Sequence, residues 1–106
     1  MRLLGLDIIL CDSNGNETDY VEITYELHSQ IFYNINKELW GKTKFVRNLK
    51  HYYLAKGNFK GSEVEEFIQE LNTLVPFLDK RYQDQLINII KKIKHLLPYN
   101  IIIVGD

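Results

Sequence analysis

Residues 99–104 read Tyr-Asn-Ile-Ile-Ile-Val, a stretch too short for a helix and apolar on both sides of a strand. That pattern predicts a strand buried on both faces. A strand cannot stand alone, because its peptide groups need partners. The segments before it read as helices, so the expected place for it is beside strands at the other end of the chain. Residues 3–11 supply one. Leu4, Leu6, Ile8 and Leu10 fall on one side, and Leu3, Gly5, Asp7, Ile9 and Cys11 on the other, so the even side is expected to be buried and the odd side half-buried. Asp12-Ser13-Asn14-Gly15-Asn16 is a turn, with Asn-Gly suited to the positive φ of a tight hairpin. Residues 19–24 return, Val21 and Ile23 inward, Tyr20 and Glu22 outward. The final strand should pair with the first, since both are more apolar than the second.

Between these ends the periodicity changes to that of helices. Leu27, Ile31, Ile35 and Leu39, widened by Phe32, predict a helix over residues 25–40 closed by Gly41. Phe45, Leu49, Tyr52 and Tyr53 predict a second over 43–55 with a wholly basic charged face, followed by a loop at 56–61. Ser62-Glu63-Val64-Glu65 has the form of a capping box, opening a helix lined by Val64, Phe67, Ile68, Leu71 and Leu74. Pro76 breaks that pattern or starts the next helix. From Asp79, the residues Tyr82, Leu86, Ile89, Ile90, Ile93 and Leu97 make a long amphipathic helix stopped by Pro98. The expected order is β-β-α-α-α-α-β: an α+β fold in one domain spanning 1–106, its three-stranded sheet covered by about four helices.

Composition sets the wider class. At 106 residues, 45% hydrophobic and 25% charged, the chain is an ordinary globular domain. The single cysteine, Cys11, excludes an internal disulfide and fits a reducing compartment. The opening Met-Arg-Leu-Leu-Gly-Leu-Asp is neither a signal peptide nor a spanning helix, and no stretch approaches about 18 apolar residues in a row. The expected location is the cytoplasm, with no membrane partner.

The net charge of -1 conceals a segregation by sign. The first 26 residues hold six acids, Asp7, Asp12, Glu17, Asp19, Glu22 and Glu26, against Arg2 alone. Between Glu38 and Glu63 there are six bases, Lys42, Lys44, Arg47, Lys50, Lys56 and Lys60, and no carboxylate. Sign-separated surfaces steer partners and speed association. Asp12, Glu17, Asp19, Glu22 and Glu26 form a candidate acidic patch for a basic protein; they serve equally to solubilise a turn and blunt an edge strand. Lys42, Lys44, Arg47, Lys50 and Lys56, interleaved with Phe45, Tyr52, Tyr53 and Phe59 and preceded by Trp40, form a candidate surface for single-stranded nucleic acid. Helical spacing would instead turn those aromatics into the core. A sequence pI near 6.3 runs against a dedicated nucleic-acid binder.

Catalytic and metal chemistry find little footing. Asp12, Asn14 and Asn16 have the alternate oxygen spacing of a calcium loop, but Gly15 comes one place early and Ile23 stands where the closing Glu belongs. His28, His51 and His95 have no zinc spacing, and Cys11 is alone. Asp7 interrupts an apolar strand and is read as structural, with no base identifiable beside it. No phosphate-binding, dinucleotide-binding or nucleophile-elbow motif is present. Gly57-Asn58-Phe59-Lys60-Gly61 precedes a helix, but Glu63, Glu65 and Glu66 in its first turns would repel an anion. No catalytic residue, metal or cofactor is therefore assigned.

In size, in its lack of motifs and in a compact α+β pattern that opens with Gly5-Leu6-Asp7-Ile8 and a hairpin at 12–17, the chain resembles the small cytosolic immunity proteins that accompany bacterial polymorphic toxins. It also resembles small phage-encoded accessory proteins. The first resemblance implies a non-enzymatic inhibitor that blocks a cognate toxin, often a nuclease with a basic catalytic surface. Tyr20, Tyr25 or Tyr33 would be its hot-spot anchor. The alternatives are a nucleic-acid-binding accessory protein using the 42–60 segment and a homodimer built on the hairpin edge.

Overall fold

The computed structural model describes residues 6–50, 56–96 and 99–105. Strand β1 (Leu6–Cys11) pairs antiparallel with β2 (Glu17–Ile23) through the expected hairpin. Asp12 builds the turn: its Oδ1 accepts from the amides of Asn14 and Asn16, both at 2.9 Å, and Gly15 supplies φ 83°. One extra residue in β2 shifts the register, so that Leu10 faces Asp19 and Cys11 faces Glu17. Strand β4 (Asn100–Gly105) lies on the other side of β1, as its apolar run predicts.

The sheet has a fourth strand where a loop was expected. β3 (Lys56–Lys60) pairs antiparallel with β4 and completes the order β2-β1-β4-β3. The segment Lys-Gly-Asn-Phe-Lys has one large apolar side chain and so no alternation to read. It is extended because β4 offers it an edge, and Phe59 points into the core between Phe45 and Phe67, with ring centroids 4.7 and 5.5 Å away. Gly57 makes room for that ring: a Cβ there would lie 3.1 Å from Phe59 Cζ.

The expected helix over 25–40 is broken. α1 (Tyr25–Ser29) is capped by Thr24, whose hydroxyl accepts from Leu27 N. It runs into a wide π-helical turn, Gln30–Asn34, closed by the bond from Ile35 N to Gln30 O. Ile35 is extended, and Asn36 caps the short α2 (Lys37–Gly41) by accepting from Glu38 N. Asn side chains compete for backbone groups in this way and favour interruption over continuation. Leu27, Ile31 and Ile35 are buried nonetheless, so the apolar stripe survives the break. Of the helix expected over 43–55, only a single 3₁₀ turn, Val46–Leu49, lies within the described residues; 51–55 lie outside them.

α3 (Ser62–Leu74) and α4 (Lys80–Leu96) match their periodicity. The start of α3 differs from the expected capping box. Gly61, at φ 57°, is the cap, and Ser62 is already helical. Glu63 reaches back to accept from Lys60 N. Pro76 sits in a 3₁₀ turn, Val75–Phe77, between the two helices.

Among the described residues, the helices share one core with one face of the sheet. Leu6, Ile8, Leu10, Val21, Ile23, Phe59, Ile101 and Ile103 join Phe67, Leu71, Leu86, Ile90 and Ile93 in one core. On the opposite face Asp7, Cys11 and Asn100 are buried, Ile9 and Ile102 half-buried, and Tyr20 and Val104 exposed, so the expectation that β4 is buried on both sides holds for its inner side and only in part for its outer one. No helix among the described residues is long and apolar enough to cross a membrane.

Candidate functional site: an acidic, tyrosine-bearing corner

The five acids of the candidate patch have two different fates. Asp12 is consumed by its own turn. Asp19 is held by the α4 helix: its carboxylate accepts from Tyr20 N at 2.7 Å and meets Lys92 Nζ at 3.3 Å. The amide of Tyr20 and, to a lesser degree, Lys92 keep this carboxyl below its ordinary pKa. Lys92 also donates to Tyr20 O at 3.0 Å. Both peptide groups of Tyr20 are thereby satisfied by side chains, and an incoming strand would have to displace them. This blunts the β2 edge and counts against the homodimer envisaged there.

Glu17, Glu22 and Glu26 remain. All three are exposed, and none makes an ion pair or side-chain hydrogen bond among the described residues. Glu17 and Glu22 come from β2, and Glu26 from the first turn of α1, where it also suits the helix dipole. On the same stretch of chain Tyr20, Tyr25 and Tyr33 are 46%, 54% and 68% exposed. Tyrosine offers a large amphipathic contact at a small cost in ordering, which makes it a common interface anchor.

The basic segment is different. Lys42, Lys44 and Arg47 are exposed and Lys50 half-buried, its ammonium 5.5 Å from the Trp40 ring centroid. For Lys56, the backbone position in β3 is described. The aromatics meant to stack on bases face inward: Trp40, Phe45 and Phe59 are buried, and Tyr52 and Tyr53 lie outside the described residues. The positive charge is also answered from α3. The carboxylate of Glu70 accepts from the amides of Lys44, Phe45 and Val46 at 2.8, 3.0 and 2.9 Å. Thr43 Oγ1 accepts from the next amide, Arg47 N, at 2.9 Å. Four consecutive amides thus end on two side chains. Glu66 and Glu70 share with Lys42 and Lys44 a cleft of about 440 Å³. This internal acid, 24 to 26 residues further along the chain, is what sequence reading missed.

The remaining titratable groups have structural surroundings. His28 is buried, and its Nε2–H donates to Leu49 O at 2.6 Å. Burial holds its pKa below the ordinary histidine value, although the carbonyls near it act the other way. The Cys11 thiol is pushed up, first by burial and then by Glu17 and Asp12, which makes it a poor nucleophile. Asp7 is buried on β1 beside Glu22 and Val104 in register. His95 is exposed, and His51 lies outside the described residues.

Compared with protein-family models, curated proteins and solved structures, the chain gives no match. The site is therefore read from its own chemistry.

Proposed function

We propose that this chain is a non-catalytic binding protein that blocks a partner macromolecule, acting as an immunity-type inhibitor of a cognate bacterial toxin with a basic surface. The observation that carries this is that Glu17, Glu22 and Glu26 are exposed with no ion pair among the described residues, on the same stretch of chain, 17–33, as the exposed Tyr20, Tyr25 and Tyr33. Charge of one sign steers encounter, and the tyrosines supply the apolar contact that holds the complex. Asp12 and Asp19 support the site by fixing the hairpin that presents it.

The test is capture of a stoichiometric protein from nuclease-treated lysate of the source cell, followed by kinetics with the captured partner. Reversal of Glu17, Glu22 and Glu26 to Lys should lower k_on at low salt by about tenfold or more, and flatten its salt dependence. An unchanged k_on would overturn the acidic-corner reading. Recovery of nucleic acid alone, when nuclease is omitted, would transfer the function to Lys42, Lys44, Arg47, Lys50 and Lys56.

A further inference from the structure

Asn14-Gly15 is the one Asn-Gly step in the chain; each of the other eight asparagines is followed by a residue with a side chain. The difference is chemical. Asparagine is thermolabile, because the backbone nitrogen of the next residue can attack its side-chain carbonyl carbon, and a Cβ on that residue obstructs the approach. Gly15 has none, and a Cβ built there would meet nothing within 4 Å beyond its chain neighbours. Asn14 and Gly15 are both exposed. The Asn14 carboxamide makes no hydrogen bond among the described residues. Those of Asn34, Asn36, Asn48, Asn58 and Asn100 are each engaged.

The bonds of the turn set when such a reaction can run. The nucleophile is spent in the closed turn: Gly15 N–H donates to Asp12 O at 3.1 Å, and Asp12 N donates to Asn16 O at 2.9 Å. Asp12 Oδ1 adds the amides of Asn14 and Asn16, both at 2.9 Å. The turn is exposed, so each bond contributes little net, and local opening is far more frequent than global unfolding.

We propose that Asn14 is a site of spontaneous covalent modification, gated by the opening of its own hairpin turn. The Gly15 nitrogen gives up its proton and attacks Asn14 Cγ. A new C–N bond closes a cyclic imide, the bond from Cγ to the side-chain nitrogen breaks, and that nitrogen leaves as ammonia with the proton. Water then opens the imide. Cleavage at Cγ leaves aspartate; cleavage at the main-chain carbonyl leaves isoaspartate, whose backbone runs through Cβ. One water enters and one ammonia leaves, with no oxidant, reductant or cofactor. Either product sets a new carboxylate beside that of Asp12. Isoaspartate also adds an atom to the main chain inside a loop tied by Asp12 N to Asn16 O and by the pairing of Cys11 with Glu17. The amides held by Asp12 Oδ1 lose their spacing, and the hairpin that presents Glu17 and Tyr20 loosens. The inference does not depend on the inhibitor reading, because its test reads mass and stability alone.

The folded wild-type chain is aged in mildly alkaline buffer at physiological temperature, and its peptides are weighed by mass spectrometry. Residue 14 should convert to aspartate and isoaspartate while the other asparagines stay intact. Asp12→Ala, which removes two bonds of the turn, should convert about fivefold faster, and chain denatured in urea faster still. Aged wild-type chain, separated by anion exchange on its added charge, should unfold at lower urea than fresh chain. Asn14→Gln aged in parallel should keep both its mass and its midpoint. A folded chain that retains Asn14 while a synthetic peptide of residues 10–19 is consumed would overturn the proposal. So would other asparagines converting as fast, Asp12→Ala or denatured chain converting no faster than the folded wild type, or an isoaspartyl chain as stable as the fresh one.

Discussion

Removal of the Glu70 carboxylate tests how the basic segment is held. In the structure this group accepts three backbone amides, those of Lys44, Phe45 and Val46. A hydrogen bond to a charged group contributes about 1.5–3 kcal/mol net. The Lys44 amide is solvent-exposed and regains water, so it adds little. The other two are partly buried beside Phe45 and Val46, whose side chains are 4% and 0% exposed. Two bonds at the low end of that range sum to about 3 kcal/mol, and local relaxation reduces this toward the loss of about 2 kcal/mol seen for the strongest helix caps. Glu70→Ala should therefore destabilise the fold by about 2–3 kcal/mol, and Glu70→Gln, which keeps one acceptor oxygen, by about 1 kcal/mol. The assay is urea unfolding followed by the emission of Trp40, the only tryptophan. Trp40 adjoins the segment, since its carbonyl accepts from Thr43 Oγ1 and Lys50 lies over its ring. For m near 1.5 kcal/mol/M the alanine variant should unfold about 1–2 M earlier at unchanged m. An unshifted midpoint for Glu70→Ala would refute the reasoning, because it would mean that water replaces the carboxylate at no cost.

Three further outcomes are expected. Gly57→Ala should cost about 1–2 kcal/mol of stability in the same assay, because Phe59 is wedged between Phe45 and Phe67 and cannot yield to a Cβ 3.1 Å away; a neutral result would show that β3 shifts freely. His28 is held neutral, so the unfolded chain binds more protons than the folded one below pH ~6.5. Stability should fall as pH drops through that value, by no more than about 1.4 kcal/mol per pH unit, and the difference should vanish in His28→Gln; identical pH profiles would dismiss this account. Lys92→Ala should open the β2 edge by freeing Tyr20 O, with turbidity or dye-binding aggregation on gentle heating faster than in the wild type, and an unchanged rate would show that the edge is guarded by other means.

The parts of the fold legible in sequence are those in which side-chain pattern and backbone agree. The Asn14-Gly15 turn with alternation on either side gives the hairpin. The spacing of Val64, Phe67, Ile68, Leu71 and Leu74 gives α3, and the isoleucines of β4 give its place beside β1. β3 is hidden because its extended state is imposed by a partner strand, with Phe59 as its only large apolar residue. The break at Ile35 is hidden for the opposite reason: Ile31, Ile35 and Leu39 keep helical spacing while the backbone between them does not. Charge was legible as a bias, but its compensation was not. Lys92 neutralises Asp19 from 73 residues away, and nothing local distinguishes Asp19 from Glu22 or Glu17. The tyrosines were legible as candidates only. Tyr82 has the same chemistry as Tyr33, yet it is buried because it falls on the apolar stripe of α4.

The position of β4 bears on how the molecule comes into being. Cys11 pairs with Asn100, so the central ladder joins segments separated by nearly the whole chain. During synthesis the hairpin emerges early and β3 about midway, but each lacks a neighbour until residues 100–105 leave the ribosome. Until then both wait as open edges, with apolar inner faces that the helices can cover only loosely. Such non-local closure is slow and exposes intermediates to aggregation. Strand β4 is the one that turns two unfinished pieces into a single sheet, and truncation just before it should leave a chain with helices but no tertiary fold.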